Sequence, residues 1–381
     1  MRYEFQLETI VRWGEGVSLE AAAYVRERVY RSVAVVVDAG LRENDQARQL
    51  LTSLREAAPT VEVIENNMAE PSYEHLDSLR ERFDGKWDLF VGIGGGSTLD
   101  VAKAMSVLVT NPGPAISYRG FDLVSNPGPP LIAIPTTAGS GSEVTPNAVF
   151  TDLKENRKFG INSRYYVPRL ALLDPLLTLS CPRDVTVSSG MDALVHAVES
   201  YVALSATPMS RMFSREAFRL LMVNLPRIIG EPDNLTLRGN LQLAALLAAT
   251  GLMHSGGGVA GALSYPLGVR FNVPHGLAGG IFLGPVAAWN AERGSRRYGE
   301  LADQLPEVRA SSSSVRAHTV ASALKRIASQ LGVPTCLSEV GVELGDIPMM
   351  VEQTFLLHGA LEQNPTPVSR SDLEALLSQL V

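Results

Sequence analysis

The run Ser32 to Asp38, SVAVVVD, is apolar and β-branched at successive positions and is closed by Ala39 and Gly40. Apolar side chains on both faces predict a strand buried inside a parallel sheet. A helical period follows over about Glu43 to Ala57, and the short runs Val61 to Ile64, Asp88 to Val91, Leu131 to Pro135 and Leu170 to Leu173 repeat the strand character. Helical stretches at Glu74 to Phe83 and Leu99 to Val109 separate them, so strand and helix alternate as in an open parallel α/β sheet. Beyond about Ser180 long helical periods take over: Gly190 to Leu204, Ser210 to Ile229, Asn234 to His254, Val315 to Leu331 and Ser371 to Leu380. The expectation is an α/β domain over residues 1–180 and an all-α domain over 181–381, divided near LTLSCPRD.

Composition narrows the function classes. A chain of 381 residues is long enough for two domains, and 45% hydrophobic against 19% charged residues leaves no case for disorder. The net charge of −7 provides no positive field for nucleic acid or an anionic membrane. Cys181 and Cys336 lie far apart and outside any CxxC or Cys/His pattern, so neither a disulfide framework nor a structural zinc is implied. No stretch of about 18 apolar residues occurs, and the opening MRYEFQLETIVRWGEG lacks the apolar core of an export signal. These features predict a soluble cytoplasmic protein.

The segment Asp88 to Lys103, DLFVGIGGGSTLDVAK, reads as a strand, a loop with Gly92, Gly94, Gly95 and Gly96, and a helix opened by Ser97 and Thr98. Such a loop lets phosphate oxygens approach bare backbone N–H groups at the positive end of a helix. Its spacing matches neither GxGxxG nor GxxxxGK[ST], so a plain tight turn is the competing reading. A second loop rich in glycine and hydroxyl residues, IPTTAGSGSEVT from Ile134 to Thr145, also follows a strand. Two loops at successive strand ends would line one crevice. Asp38 ends the first strand, where a carboxylate either accepts ribose hydroxyls and repels a 2′-phosphate or caps a turn.

In GMDALVHAVESY, Gly190 to Tyr201, Asp192 and His196 stand four residues apart, on one face of a helix. A carboxylate and an imidazole so placed make half of a divalent-metal site, or an ordinary helix contact. His275 in the Pro274 to Gly276 turn is a third candidate.

Taken in order, GGGSTLDVAK, PTTAGSGSEVT, LLDP at Leu172 to Pro175, GMDALVHAVESYV and YPLGVRFNVPHG at Tyr265 to Gly276 resemble the iron-containing (group III) alcohol dehydrogenase family. That family shares its fold with dehydroquinate synthase. The resemblance spans about residues 30 to 381, and ALEQNP before the last helix is similar too. It implies a Rossmann-like nucleotide-binding domain, a helical domain, and hydride transfer between NAD(P)H and a small alcohol or aldehyde. It also implies a homodimer or larger assembly. By position, Gly94, Gly95, Gly96 and Ser97 would hold the pyrophosphate, and Thr136 and Thr137 the adenine and ribose side. Lys158 would approach the nicotinamide ribose, and Leu179 would wall the nicotinamide. Asp38 matches the position that favours NAD over NADP.

The family's divalent metal, Fe or Zn, takes an Asp, a His four residues later, a His from an HxxxH segment and the His of PHG. Asp192, His196 and His275 match, but the HxxxH segment reads GALSY, with Gly261 and Tyr265 at the two histidine positions. His254 is seven residues upstream of Gly261, about 10 Å along a helix, and cannot simply replace the lost imidazole. A three-ligand site should bind metal weakly. Tyr265 would then supply a proton to a developing alkoxide in a metal-independent reaction, or merely fill the space. Arg270 would clamp an acidic substrate group or be structural, and the small-residue run Ser255 to Gly261 predicts a broken or tightly packed helix. Two other classes stay open: a dehydroquinate synthase-like lyase or cyclase, and a catalytically silent nucleotide-binding homologue.

Overall fold

The computed structural model describes residues 3–83, 85–305 and 312–381. Its strands are β1 (Ile10–Trp13), β2 (Ser32–Asp38), β3 (Thr60–Asn66), β4 (Leu89–Gly94), β5 (Gly120–Phe121), β6 (Leu131–Pro135), β7 (Asn147–Asp152), β8 (Arg157–Asn162) and β9 (Leu170–Leu173). The first four helices are α1 (Glu20–Glu27), α2 (Asp45–Ala57), α3 (Tyr73–Arg82) and α4 (Gly96–Leu108). They are followed by α5 (Arg183–Val202), α6 (Pro208–Ile228), α7 (Leu235–Met253), α8 (Val259–Phe271) and α9 (His275–Glu292). The last are α10 (Arg297–Leu301), α11 (Ser313–Leu331), α12 (Ile347–Phe355), α13 (His358–Glu362) and α14 (Arg370–Ser378).

Contacts divide the chain into two units, one of residues 6–182 with 233–243, the other of 1–5, 183–232 and 244–381. In the first unit a six-stranded parallel sheet has the order β1-β9-β6-β4-β2-β3. The β2 run explains itself. Val33, Val35 and Val37 pack with Tyr24, Leu50 and Leu54 of α1 and α2, while Ala34 and Val36 join Leu76, Val101 and Met105 of α3 and α4 on the opposite face. Each large side chain so buried is worth about 1.5–3 kcal/mol, which the period of two delivers to both faces. Helix α2 begins at Asp45, two residues later than its periodicity suggests, because the Asn44 side chain accepts from the Ala47 N–H at 2.9 Å and caps it.

From β2 the chain pairs outward to β3 on one side and returns to β4 on the other. Such a reversal opens a crevice beyond the carboxyl ends of the two strands, where open α/β sheets bind ligands. Asp38 ends β2 and Gly94 ends β4. Three further strands, absent from the sequence reading, form a small mixed sheet in the order β5-β8-β7.

The second unit is helical. Helix α5 packs on α6, α8 and α9, and α9 on α11. The PHG segment, read from the sequence as a turn, is the start of α9, with Pro274 as N-cap and His275 as the first helical residue. Gly276 is needed there: a Cβ on it would lie 1.8 Å from the Ser188 carbonyl oxygen of α5. No helix among the described residues is long and apolar enough to cross a membrane.

Candidate functional site

In the α/β unit the glycine loop and the second loop lie against each other. Thr136 N–H donates to the Gly94 carbonyl at 3.0 Å, and a Cβ on Gly95 would touch the Thr137 side chain. A Cβ on Gly94 would stand 2.7 Å from Thr98 and 3.0 Å from the Asp38 Cβ. The bare backbone at the start of α4 is thus forced by its neighbours, and Asp38, Gly94, Gly95 and Thr136 gather at one end of the sheet. Gly95 is the N-cap of α4 and offers no side-chain cap. The first amides of this 13-residue helix are therefore suited to an anion. Ser97 donates its hydroxyl to the Ala69 carbonyl. Asp38 caps a short turn by accepting from Gly40 N–H at 2.8 Å, using Oδ1. Lys158 on β8 is largely buried and pairs with Glu70 at 2.7 Å. Leu179 follows the one-turn helix at Pro175–Thr178, which Asp174 caps.

In the helical unit Asp192 and His196 leave the same face of α5, and Gly276 lets α9 bring His275 to them. Asp192 Oδ1 lies 3.5 Å from His196 Nε2 and 3.8 Å from His275 Nε2. Ser264 of α8 donates its only proton to the Gly261 carbonyl at 2.5 Å, so at 3.0 Å it accepts from His275 Nδ1. This leaves Nε2 as the basic nitrogen of a neutral His275. Tyr265 meets the His275 ring edge to face, with centroids 5.2 Å apart. Arg270 is exposed in the last turn of α8.

Sequence reasoning missed Glu199, one turn beyond His196. Its buried carboxylate accepts from the N–H groups of Gly258 at 2.8 Å, Ala260 at 2.7 Å and Gly261 at 3.2 Å. It caps α8 from outside, a role that the N-cap Gly258 cannot fill. Burial pushes the Glu199 carboxyl up to about 7, against the pull of those amides. The i, i+3 spacing from His196 was the available signal.

The helix read as broken or tightly packed is both: α7 ends at Met253 and α8 starts at Val259, and a Cβ on Gly258 or Gly261 would stand 2.8 or 2.9 Å from a Glu199 oxygen. The residues present do not fit a complete metal centre. The two imidazoles face one carboxylate oxygen, Gly261 offers no donor, and the Glu199 oxygens are engaged by backbone amides. Among the described residues no group of three or more His, Cys, Asp or Glu side chains is arranged to hold an ion. His254, for its part, stacks on Phe5 with centroids 4.2 Å apart.

Two family models cover nearly the whole chain, "Iron-containing alcohol dehydrogenase" over residues 8–175 and "Fe-containing alcohol dehydrogenase family, C-terminal" over 186–381. The 1,3-propanediol dehydrogenase of Citrobacter freundii is 33% identical over 353 residues, 92% of this chain and 91% of that one. The sulfoacetaldehyde reductase of Bilophila wadsworthia is 33% identical over 370 residues, 96% of this chain and 95% of that one. A solved sulfoacetaldehyde reductase from Bifidobacterium kashiwanohense, in complex with NAD+, superposes with a TM-score of 0.91 at 26% identity, covering 100% and 99% of the two chains. With its parallel sheet, glycine loop and carboxylate–imidazole cluster matched along their length, the chain belongs to the iron-containing alcohol dehydrogenase family.

Proposed function

We propose that this NAD-dependent oxidoreductase of small alcohols and aldehydes uses Tyr265 as the proton donor to the substrate oxygen, with His275 beside it. The observation that carries this is the edge-to-face pair of Tyr265 and His275, whose imidazole is oriented through Ser264. Bound dinucleotide supplies the hydride. The amides at Gly94, Gly95, Gly96 and Ser97 take the pyrophosphate, Thr136 and Thr137 the adenosine side, and Asp38 turns away a 2′-phosphate. Lys158, steadied by Glu70, reaches the nicotinamide ribose, and Leu179 walls the ring. Relatives named for 1,3-propanediol and sulfoacetaldehyde support a short, polar aldehyde as substrate class.

Reduction of a carbonyl needs a proton where negative charge develops, and a phenol held against an imidazole can deliver one. General acid catalysis is worth about 10²–10⁴ in rate. Tyr265→Phe should therefore lower kcat by about 10²-fold or more while leaving the KM for NADH within twofold. Unchanged turnover would show that Tyr265 only fills the space of an imidazole. The competing reading is a weakly held cation shared by Asp192, His196 and His275. Asp192 Oδ1 facing two imidazole Nε2 atoms speaks for it, and the lack of a donor at Gly261 and, among the described residues, of a group arranged to hold an ion speaks against it.

A further inference from the structure

The α/β unit contains a buried charge cluster that the proposed reaction does not use. Lys103 on α4 is 0% exposed, and Glu143 in the second loop is 3% exposed. Asp100, one turn before Lys103, accepts from Ser142 Oγ at 2.6 Å and from the Val149 N–H at 2.9 Å. Lys103 Nζ donates to Thr145 Oγ1 at 3.2 Å and to the Asn147 carbonyl at 2.9 Å, in the field of both Asp100 and Glu143. Two side chains three residues apart on one face of α4 thus tether residues 142, 145, 147 and 149. Two residues before Ser142 in the same loop, Ser140 Oγ accepts from Ser142 N–H and stands 2.6 Å from where a Cβ on Gly96 would sit. The second loop is therefore fixed to the first turn of α4 by packing and to the next turn by charge.

Such a cluster is an expensive way to hold a loop. Burial pushes the Lys103 ammonium down to about 8 and the Glu143 carboxyl up to about 7, and apolar side chains of similar size usually hold a fold as well or better. What charge-assisted hydrogen bonds add is geometric definition.

We propose that Asp100 and Lys103 are positioning residues, which hold the Thr136–Thr145 loop at the spacing from the α4 N-terminus that a dinucleotide requires. This rests on the reading of Gly94–Ser97 and Thr136–Thr137 as the dinucleotide cradle. A merely structural cluster makes a different prediction: its replacement would move stability and leave cofactor affinity alone.

The test is NADH titration by fluorescence, with steady-state kinetics, on the wild-type chain and on Lys103→Met, Asp100→Asn and the milder Ser142→Ala. Leu54→Ala, a cavity in the core between α2 and the sheet, serves as the stability control. Lys103→Met and Asp100→Asn should raise the Kd and KM for NADH about tenfold, the size of one charge-assisted hydrogen bond, with kcat within threefold. Ser142→Ala should raise them about threefold. Leu54→Ala should lower Tm without moving the Kd. Unchanged affinity in all three cluster variants, or an equal Kd rise in Leu54→Ala, would overturn the positioning role while leaving the cradle intact. A wild-type chain that does not bind NADH would overturn the cradle and this proposal with it.

Discussion

Glu199 Oε2 lies 2.9 Å from the point where a Cβ on Gly261 would stand, and it accepts the Gly261 N–H at 3.2 Å. The carboxylate that caps α8 thus fills the space into which a side chain at residue 261 would project. Gly261→Ala gains about 1 kcal/mol of helix propensity, but crowding a well-packed site costs about 1–3 kcal/mol. The net expectation is a lower urea midpoint, and a higher one would show that Glu199 gives way freely.

Metal removal separates the two readings of the Asp192 cluster. Protein dialysed against a strong chelator, with its metal content followed by elemental analysis, should keep its NADH-linked aldehyde reduction. Activity that disappears on chelation and returns with one divalent ion per chain would transfer the chemistry from Tyr265 to a cation.

Glu199 also makes stability depend on pH. Its carboxyl is raised from the ordinary 4.5 to about 7, so between those values the folded chain keeps a proton that the unfolded chain releases. Stability contributed by this group is therefore complete below about pH 4.5 and falls as pH climbs towards 7, by up to about 3 kcal/mol. Glu199→Gln cannot ionise. Urea unfolding at pH 5, 6, 7 and 8 should show wild type losing ground to this variant up to pH 7 and no further above it. A constant difference from pH 5 to 7 would mean that the carboxyl titrates normally.

Asp38 should control the choice of dinucleotide. Asp38→Ala removes a carboxylate beside Gly94 and should raise the NADPH to NADH ratio of kcat/KM at least about tenfold, because a like charge no longer opposes the 2′-phosphate. It also removes the cap on Gly40, at about 1 kcal/mol of stability. An unchanged ratio with lowered stability would leave Asp38 as a turn residue alone.

The inner strands of the sheet were legible because they are buried on both faces, and SVAVVVD declares itself without any partner. The short edge strand Ile10–Trp13 and the mixed sheet of β5, β7 and β8 were not, since a half-exposed run of two to six residues has too little periodicity to stand out. Glycine patterns located both loops, and the i, i+4 spacing put Asp192 and His196 on one helix face. Tertiary partners stayed invisible. Nothing near Gly261 in the sequence announces that a glutamate 62 residues earlier caps its helix, nor that Gly276 exists to admit the Ser188 carbonyl.

The complete burial of Lys103 has a practical consequence. Amine-reactive reagents added to the folded chain will mark its other lysines according to their exposure and pass Lys103 by, so its acylation records only those moments when α4 and the second loop separate. Read by mass spectrometry against time, that one amine becomes a clock for the opening of the α/β unit, and a bound dinucleotide that bridges the two loops should slow it.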